Sequence, residues 1–111
     1  LLPRAHALSA RLAVRRGRFA AAVDSARTAV ALLDRLGAVD SGESLVRLVL
    51  AEALDASGDR AAALIAIARA HTALLERAGQ IAKLEWRSSF LDNIPEHART
   101  IQLAEEWLVA G

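Results

Sequence analysis

Gly17 and Gly58 stand 41 residues apart, and the residues around them repeat. Seven residues before each glycine is an alanine (Ala10, Ala51), five after is another (Ala22, Ala63), and twelve after is a third (Ala29, Ala70). Glycine ends a helix in the left-handed conformation without the steric penalty of a Cβ. Small residues at matched distances on both sides let the helix before and the helix after the glycine approach closely. The chain is thereby restricted to helical hairpins. A hairpin of this size cannot bury its apolar face alone, so each one docks on the next.

The rest of the sequence agrees with an all-α domain covering residues 1–111. Hydrophobic residues make up 54% and aromatics only 4%, so the core is built from Ala, Leu, Val and Ile. Alanine is the best helix former, with Leu, Arg and Glu close behind. Both prolines, Pro3 and Pro95, stand where a helix can begin. Runs of β-branched and aromatic residues are missing.

A first helix is expected from Pro3 to about Arg16, and a second from Phe19. In the second, Phe19, Ala22, Val23, Ala26, Ala29, Val30, Leu33 and Leu36 form a helical stripe that Gly37 stops. Asp40-Ser41-Gly42-Glu43 reads as a capping box for a third helix ending near Ser57. That helix is apolar around most of its circumference, which predicts that it is sandwiched between neighbours. A fourth helix starts near Arg60, and its stripe (Ala63, Ile67, Ala70, Leu74, Ala78, Ile81) keeps its phase through Gly79, predicting one long helix with a weak point there. A short helix over Glu85–Leu91 follows, then a reset at Asn93-Ile94-Pro95 and an amphipathic helix to about Val109. The organisation is hairpin 1 at about 3–36, hairpin 2 at about 43–82, and a short helix with a capping helix at about 85–109.

Composition also excludes some classes. Arg or Asp interrupts every apolar run well before the ~18 residues of a membrane span. The N-terminus lacks the apolar stretch of a signal peptide. There is no cysteine, so disulfides and thiolate metal sites are excluded and the redox compartment is left undetermined; a cytoplasmic location is the default expectation. All basic residues but Lys83 are Arg, which together with the abundant Ala looks like a GC-rich bacterial genome. The net charge of +1 is unevenly spread, with five arginines and no acid in residues 1–18.

The small-residue positions match the tetratricopeptide spacing pattern, here at a period longer than its usual ~34 residues. Phe19 matches the aromatic that follows the turn glycine, where the second repeat has Arg60. From Gly42 onward the segments GESLVRL, AEAL, SGD, WRSSFL and IPEHART, ending in Leu103-Ala104 and Trp107-Leu108, carry a further resemblance. They resemble the C-terminal long-repeat region of large bacterial signalling proteins, common in myxobacteria, that join a serine/threonine kinase domain and a signal-transduction ATPase to a tail of helical repeats. The resemblance implies tetratricopeptide-like antiparallel hairpins stacked as a right-handed solenoid segment, with a sensing or interaction role and no catalytic residue in this region. Lys83-Leu84 replaces the Asp-Pro expected before the tryptophan, which leaves the helix break open between Gly79 and Lys83.

Few residues point to chemistry. His6, His71 and His97 fall on three separate helices without a partner at ligand spacing, so surface or capping roles are expected, and no metal or other cofactor. Glu105 and Glu106 point about 100° apart on a helix and read as solvated surface. No phosphate loop or nucleophile triad occurs, so no enzymatic activity is expected. Trp86, Phe90 and Trp107 form either a binding platform or, the favoured reading, an aromatic plug closing the last hairpin. Arg4, Arg11, Arg15 and Arg18 fall within a ~60° arc of the first helix. Such a stripe is a solvated face, a contact to a preceding repeat or, with least support, a non-specific nucleic-acid surface.

The expected function is a non-catalytic protein–protein interaction or regulatory scaffold module, the C-terminal part of a larger signalling protein. The alternatives are a small-ligand-sensing tail of an ATPase or kinase and a nucleic-acid binder. A groove is expected on the first helix of each hairpin, with His6, Arg47 and Asp55 as candidate floor residues. Partners are another protein or adjacent repeats. The last helix divides into an apolar and a polar side, as a cap does. The first carries Leu1, Ala5, Leu8, Leu12 and Ala13 beside its arginines, so the N-terminal hairpin is expected to be the sticky edge through which the fragment self-associates.

Overall fold

Pro3, whose fixed φ suits the first helical turn, follows an extended Leu2 and opens a chain of helices joined by short turns. The structure is a computed structural model and describes residues 2–36 and 42–108. Its helices are α1 (Pro3–Arg15), α2 (Phe19–Leu36), α3 (Glu43–Ala56), α4 (Arg60–Gly79), α5 (Leu84–Asp92) and α6 (Pro95–Leu108). Among the described residues there is no strand, and no helix is long and apolar enough to cross a membrane.

The two glycine turns are the same structure built twice. Gly17 has φ +74° and Gly58 φ +91°, and a Cβ on either would meet nothing within 4 Å, so backbone conformation alone selects glycine. At the first turn, the Gly17 N–H donates to the Val14 carbonyl (3.0 Å) and the Arg18 N–H to the Ala13 carbonyl (2.9 Å). At the second, Gly58 donates to Asp55 (3.1 Å) and Asp59 to Leu54 (3.0 Å). Each turn thus satisfies two carbonyls that a helix end leaves free. The starts of the following helices differ. The Asp59 side chain caps α4 by accepting from the Ala62 N–H (3.2 Å), whereas Arg18, at the same place, has no side-chain acceptor.

Each glycine turn folds its two helices together, α1 on α2 and α3 on α4. α3 also lies against both α1 and α2. α6 lies against α3 and α4, and so relates to the second hairpin as α3 does to the first. α5 touches only α4 and α6. All six repeat alanines are buried, none more than 3% exposed.

The core has two clusters that meet on α3. Leu45, Val46, Val49 and Ala53 face the first hairpin, among Ala7, Ala10, Ala22, Ala26, Ala29 and Leu33. Leu48, Ala51 and Leu54 face α4 and α6, among Ala63, Ile67, Ala70, Leu103 and Ala104. The apolar circumference of α3 is explained by these two opposite partners.

Three local expectations change. α4 ends at Gly79 instead of continuing through Ile81. Gln80 and Ile81 turn off the helix by donating to Arg77 and Ala78, and the Arg87 guanidinium holds the Ile81 carbonyl through Nε (3.1 Å) and Nη2 (2.8 Å). That carbonyl has its partners in a side chain, so the helix has no need to continue, and Lys83 becomes the N-cap of α5. The N-cap of α3 is Gly42, with no side-chain capping bond. Glu43 is buried and accepts from Arg47 Nε (3.2 Å). Leu1, Gly37, Asp40, Ser41 and Val109, which entered the sequence reading, lie outside the described residues.

The glycines give opposite expectations. Gly17→Ala and Gly58→Ala should each lower stability by about 1–2 kcal/mol through the left-handed φ alone. Gly79 has ordinary φ and open space around its Cβ position, so Gly79→Ala should be neutral or stabilising by up to ~1 kcal/mol. Ala63→Leu, at a position with no exposed surface, should cost about 1–3 kcal/mol through overpacking. Urea unfolding of the four variants checks both signs.

Candidate functional site

α1 and α6 both pack on α3 and do not touch each other, so a trough remains above α3. Its volume is about 390 Å³. Val14 of α1 and Leu45, Leu48 and Val49 of α3 make an apolar floor. The rim is charged: Arg11 and Arg15 from α1, Glu52 from α3, Glu96 and Arg99 from α6.

Glu52 organises this rim. One carboxylate oxygen lies 3.9 Å from Arg11 Nη2 and the other 3.5 Å from Arg99 Nε, so one side chain spans from α1 to α6. All three side chains are about one-third or more exposed, and each pair is worth at most about 1 kcal/mol. Their effect is on position more than on stability. With Arg11 and Arg99 drawn to Glu52, Arg15 is the rim guanidinium with no ion pair among the described residues.

The arginine stripe divides. Arg11 and Arg15 line the trough; Arg4 is exposed with its Cβ near Gly42 at the start of α3, and Arg18 is exposed in the glycine turn. His6, Arg47 and Asp55 do not line the trough, and the structure does not bring them together. His6 is half-buried on α1. Arg47 lies five residues before Glu52, about 140° around the helix. It binds Glu43 (3.2 Å) and Asp34 (3.4 Å) and borders a separate hollow of about 300 Å³ with Arg27 and Arg69. Asp55 pairs with Arg60 (2.9 Å) beside the second glycine turn.

The aromatics separate as well. Trp107 packs against the second core cluster, with the Arg60 guanidinium 4.6 Å from its ring centroid. Trp86 is 62% exposed under Lys83 Nζ, which is 4.4 Å from its ring, so it is no part of a plug with Trp107. Phe90 lies against the His97 ring, with centroids 4.4 Å apart. His97 is itself buried, and its Nδ1–H donates to the Phe90 carbonyl at 2.7 Å, near the C-terminal end of α5. It joins the two terminal helices. Among the described residues no three His, Asp or Glu side chains are grouped closely enough to hold a metal ion.

Sequence reasoning missed Glu52, Glu96 and Arg99 because nothing local marks them. They meet only once α6 has crossed α3. The small-residue repeat was the one available signal, since it identifies α1 and α3 as equivalent helices with equivalent faces.

The two kinds of polar contact predict different costs. Glu52→Gln should change stability by no more than about 1 kcal/mol, and less at high salt. His97→Ala should cost about 1–3 kcal/mol, largely salt-independent, because it leaves a carbonyl without its donor. Urea titrations at low and high salt separate them.

No protein-family model matches the chain, and no curated protein or solved structure matches it either.

Proposed function

We propose that this chain is a non-catalytic protein-interaction module that seats a segment of a partner protein in the trough over α3. The observation that carries the reading is the composition of that trough: an apolar floor of about four side chains framed by guanidinium and carboxylate groups from three helices. Non-polar side chains of a partner would lie mainly on Val14, with Leu45, Leu48 and Val49 beneath it at most 4% exposed. A carboxylate of the same segment would meet Arg15, whose charge no neighbour among the described residues neutralises. The repeated hairpins and the resemblance of the sequence from Gly42 onward support a tetratricopeptide-like solenoid segment, right-handed in its stacking, within a larger bacterial signalling protein.

A second reading is a small-ligand sensor. A volume of about 390 Å³ lies within the range of small-molecule pockets, and that keeps an effector site for an attached ATPase or kinase in play. Nucleic acid has less support, since the arginine stripe divides between the trough and two exposed places.

The test is capture from a lysate of the native host on immobilised chain, with Arg15→Glu and Arg15→Glu/Arg99→Glu beside the parent. The expected result is one stoichiometric protein retained by the parent and reduced at least tenfold by the double variant, with unchanged circular dichroism. Equal retention by all three, or a small molecule that raises the melting temperature while no protein is retained, would overturn it.

A further inference from the structure

The 41-residue offset that superposes the glycine turns also superposes α1 on α3. Ala7 and Ala10 then fall on Leu48 and Ala51, and all four are buried. Ala5, Leu8 and Leu12 fall on Val46, Val49 and Ala53, and here the two helices part company. On α3 these residues are at most 2% exposed, because the first hairpin lies on them with Ala22, Ala26, Ala29 and Leu33. On α1, Leu8 is 45% and Leu12 46% exposed, and Ala5 is exposed too. The largest apolar differences between the equivalent helices lie on the side that one of them has covered, where the exposed Arg4 also stands in the place of the buried Leu45.

We infer that the Ala5–Leu8–Leu12 face of α1 is a docking surface for a helical hairpin of the kind this chain itself uses. The occupant is specified by the interface already present inside the molecule. Its second helix presents small residues at the spacing of Ala22, Ala26 and Ala29, followed by a leucine in the place of Leu33. It also carries a carboxylate in the place of Asp34. Asp34 reaches across the existing interface to Arg47 (3.4 Å), and the residue 41 positions before Arg47 is His6, half-buried beside the uncovered face. Burial of two leucines supplies the drive for docking, and the polar pair sets the register. This surface is distinct from the trough, and either can operate without the other.

A second copy of residues 2–42, inserted ahead of Leu2, supplies the occupant directly. The parent and the extended chain are each made with and without Leu8→Glu/Leu12→Glu in the original α1, and the four are compared by thermal unfolding and hydrogen exchange. The extended chain should melt in a single transition roughly 4 °C or more above the parent. The amides of the original α1 should become at least tenfold slower to exchange. The two glutamates should leave the parent within about 2 °C of its own melting temperature, because both positions are surface there. In the extended chain they should abolish the gain and the added protection. An added hairpin that melts separately, or glutamates that act equally in both backgrounds, would overturn the inference. A parent that dimerises through this face, with the added hairpin failing to displace the dimer, would overturn the choice of occupant in favour of a second copy.

Discussion

Helix α3 is in contact with α1 and α2 on one side and with α4 and α6 on the other. Nine of its fourteen residues are buried, and both core clusters draw on them. Neither hairpin has a complete core without it. The first hairpin's inner alanines are covered by Val46, Val49 and Ala53, and the second is built around Leu48, Ala51 and Leu54. Dispersion and burial along one helix therefore tie the two halves together, and the trough exists because α1 and α6 share α3 without meeting.

This dependence explains which features were legible in the sequence. A helix apolar around its circumference predicts partners on opposite sides, and α3 has them. The glycine spacing predicts two equivalent turns, and Gly17 and Gly58 repeat the same pair of hydrogen bonds. Alanines at fixed distances predict close helix contacts, and all six are buried. Such features depend on local conformation or on helical period, which short stretches of sequence encode.

What was not legible is non-local or rests on single side chains. The helical stripe runs in phase through Ile81, yet α4 stops at Gly79, where two donors on Arg87 take the Ile81 carbonyl. Sequence alone leaves His97 either a surface or a capping role; it is buried, and its partner, the Phe90 carbonyl near the end of α5, belongs to another helix. Of the charged residues on the trough rim, the sequence singled out Arg11 and Arg15 as part of a basic stripe, but not Glu52, Glu96 or Arg99. Glu52 lies on the opposite side of α3 from Arg47, and Arg99 reaches it only through the packing of α6. Choosing exposed polar residues by helix alone, without the direction of each neighbour, selected Arg47 and Asp55, both already occupied by other partners.

Shared burial on α3 makes the two hairpins one cooperative unit. Native-state hydrogen exchange of the unmodified chain tests it most directly, because the slowest amides report the last structure to open. The account predicts that Val46–Ala53 exchange slowest, with the same denaturant dependence as global unfolding, and that the interiors of α2 and α4 open together with them. If α4 and α6 stay protected while α3 exchanges with α1 and α2 through a separate, lower-energy opening, the halves are independent and the claim is contradicted.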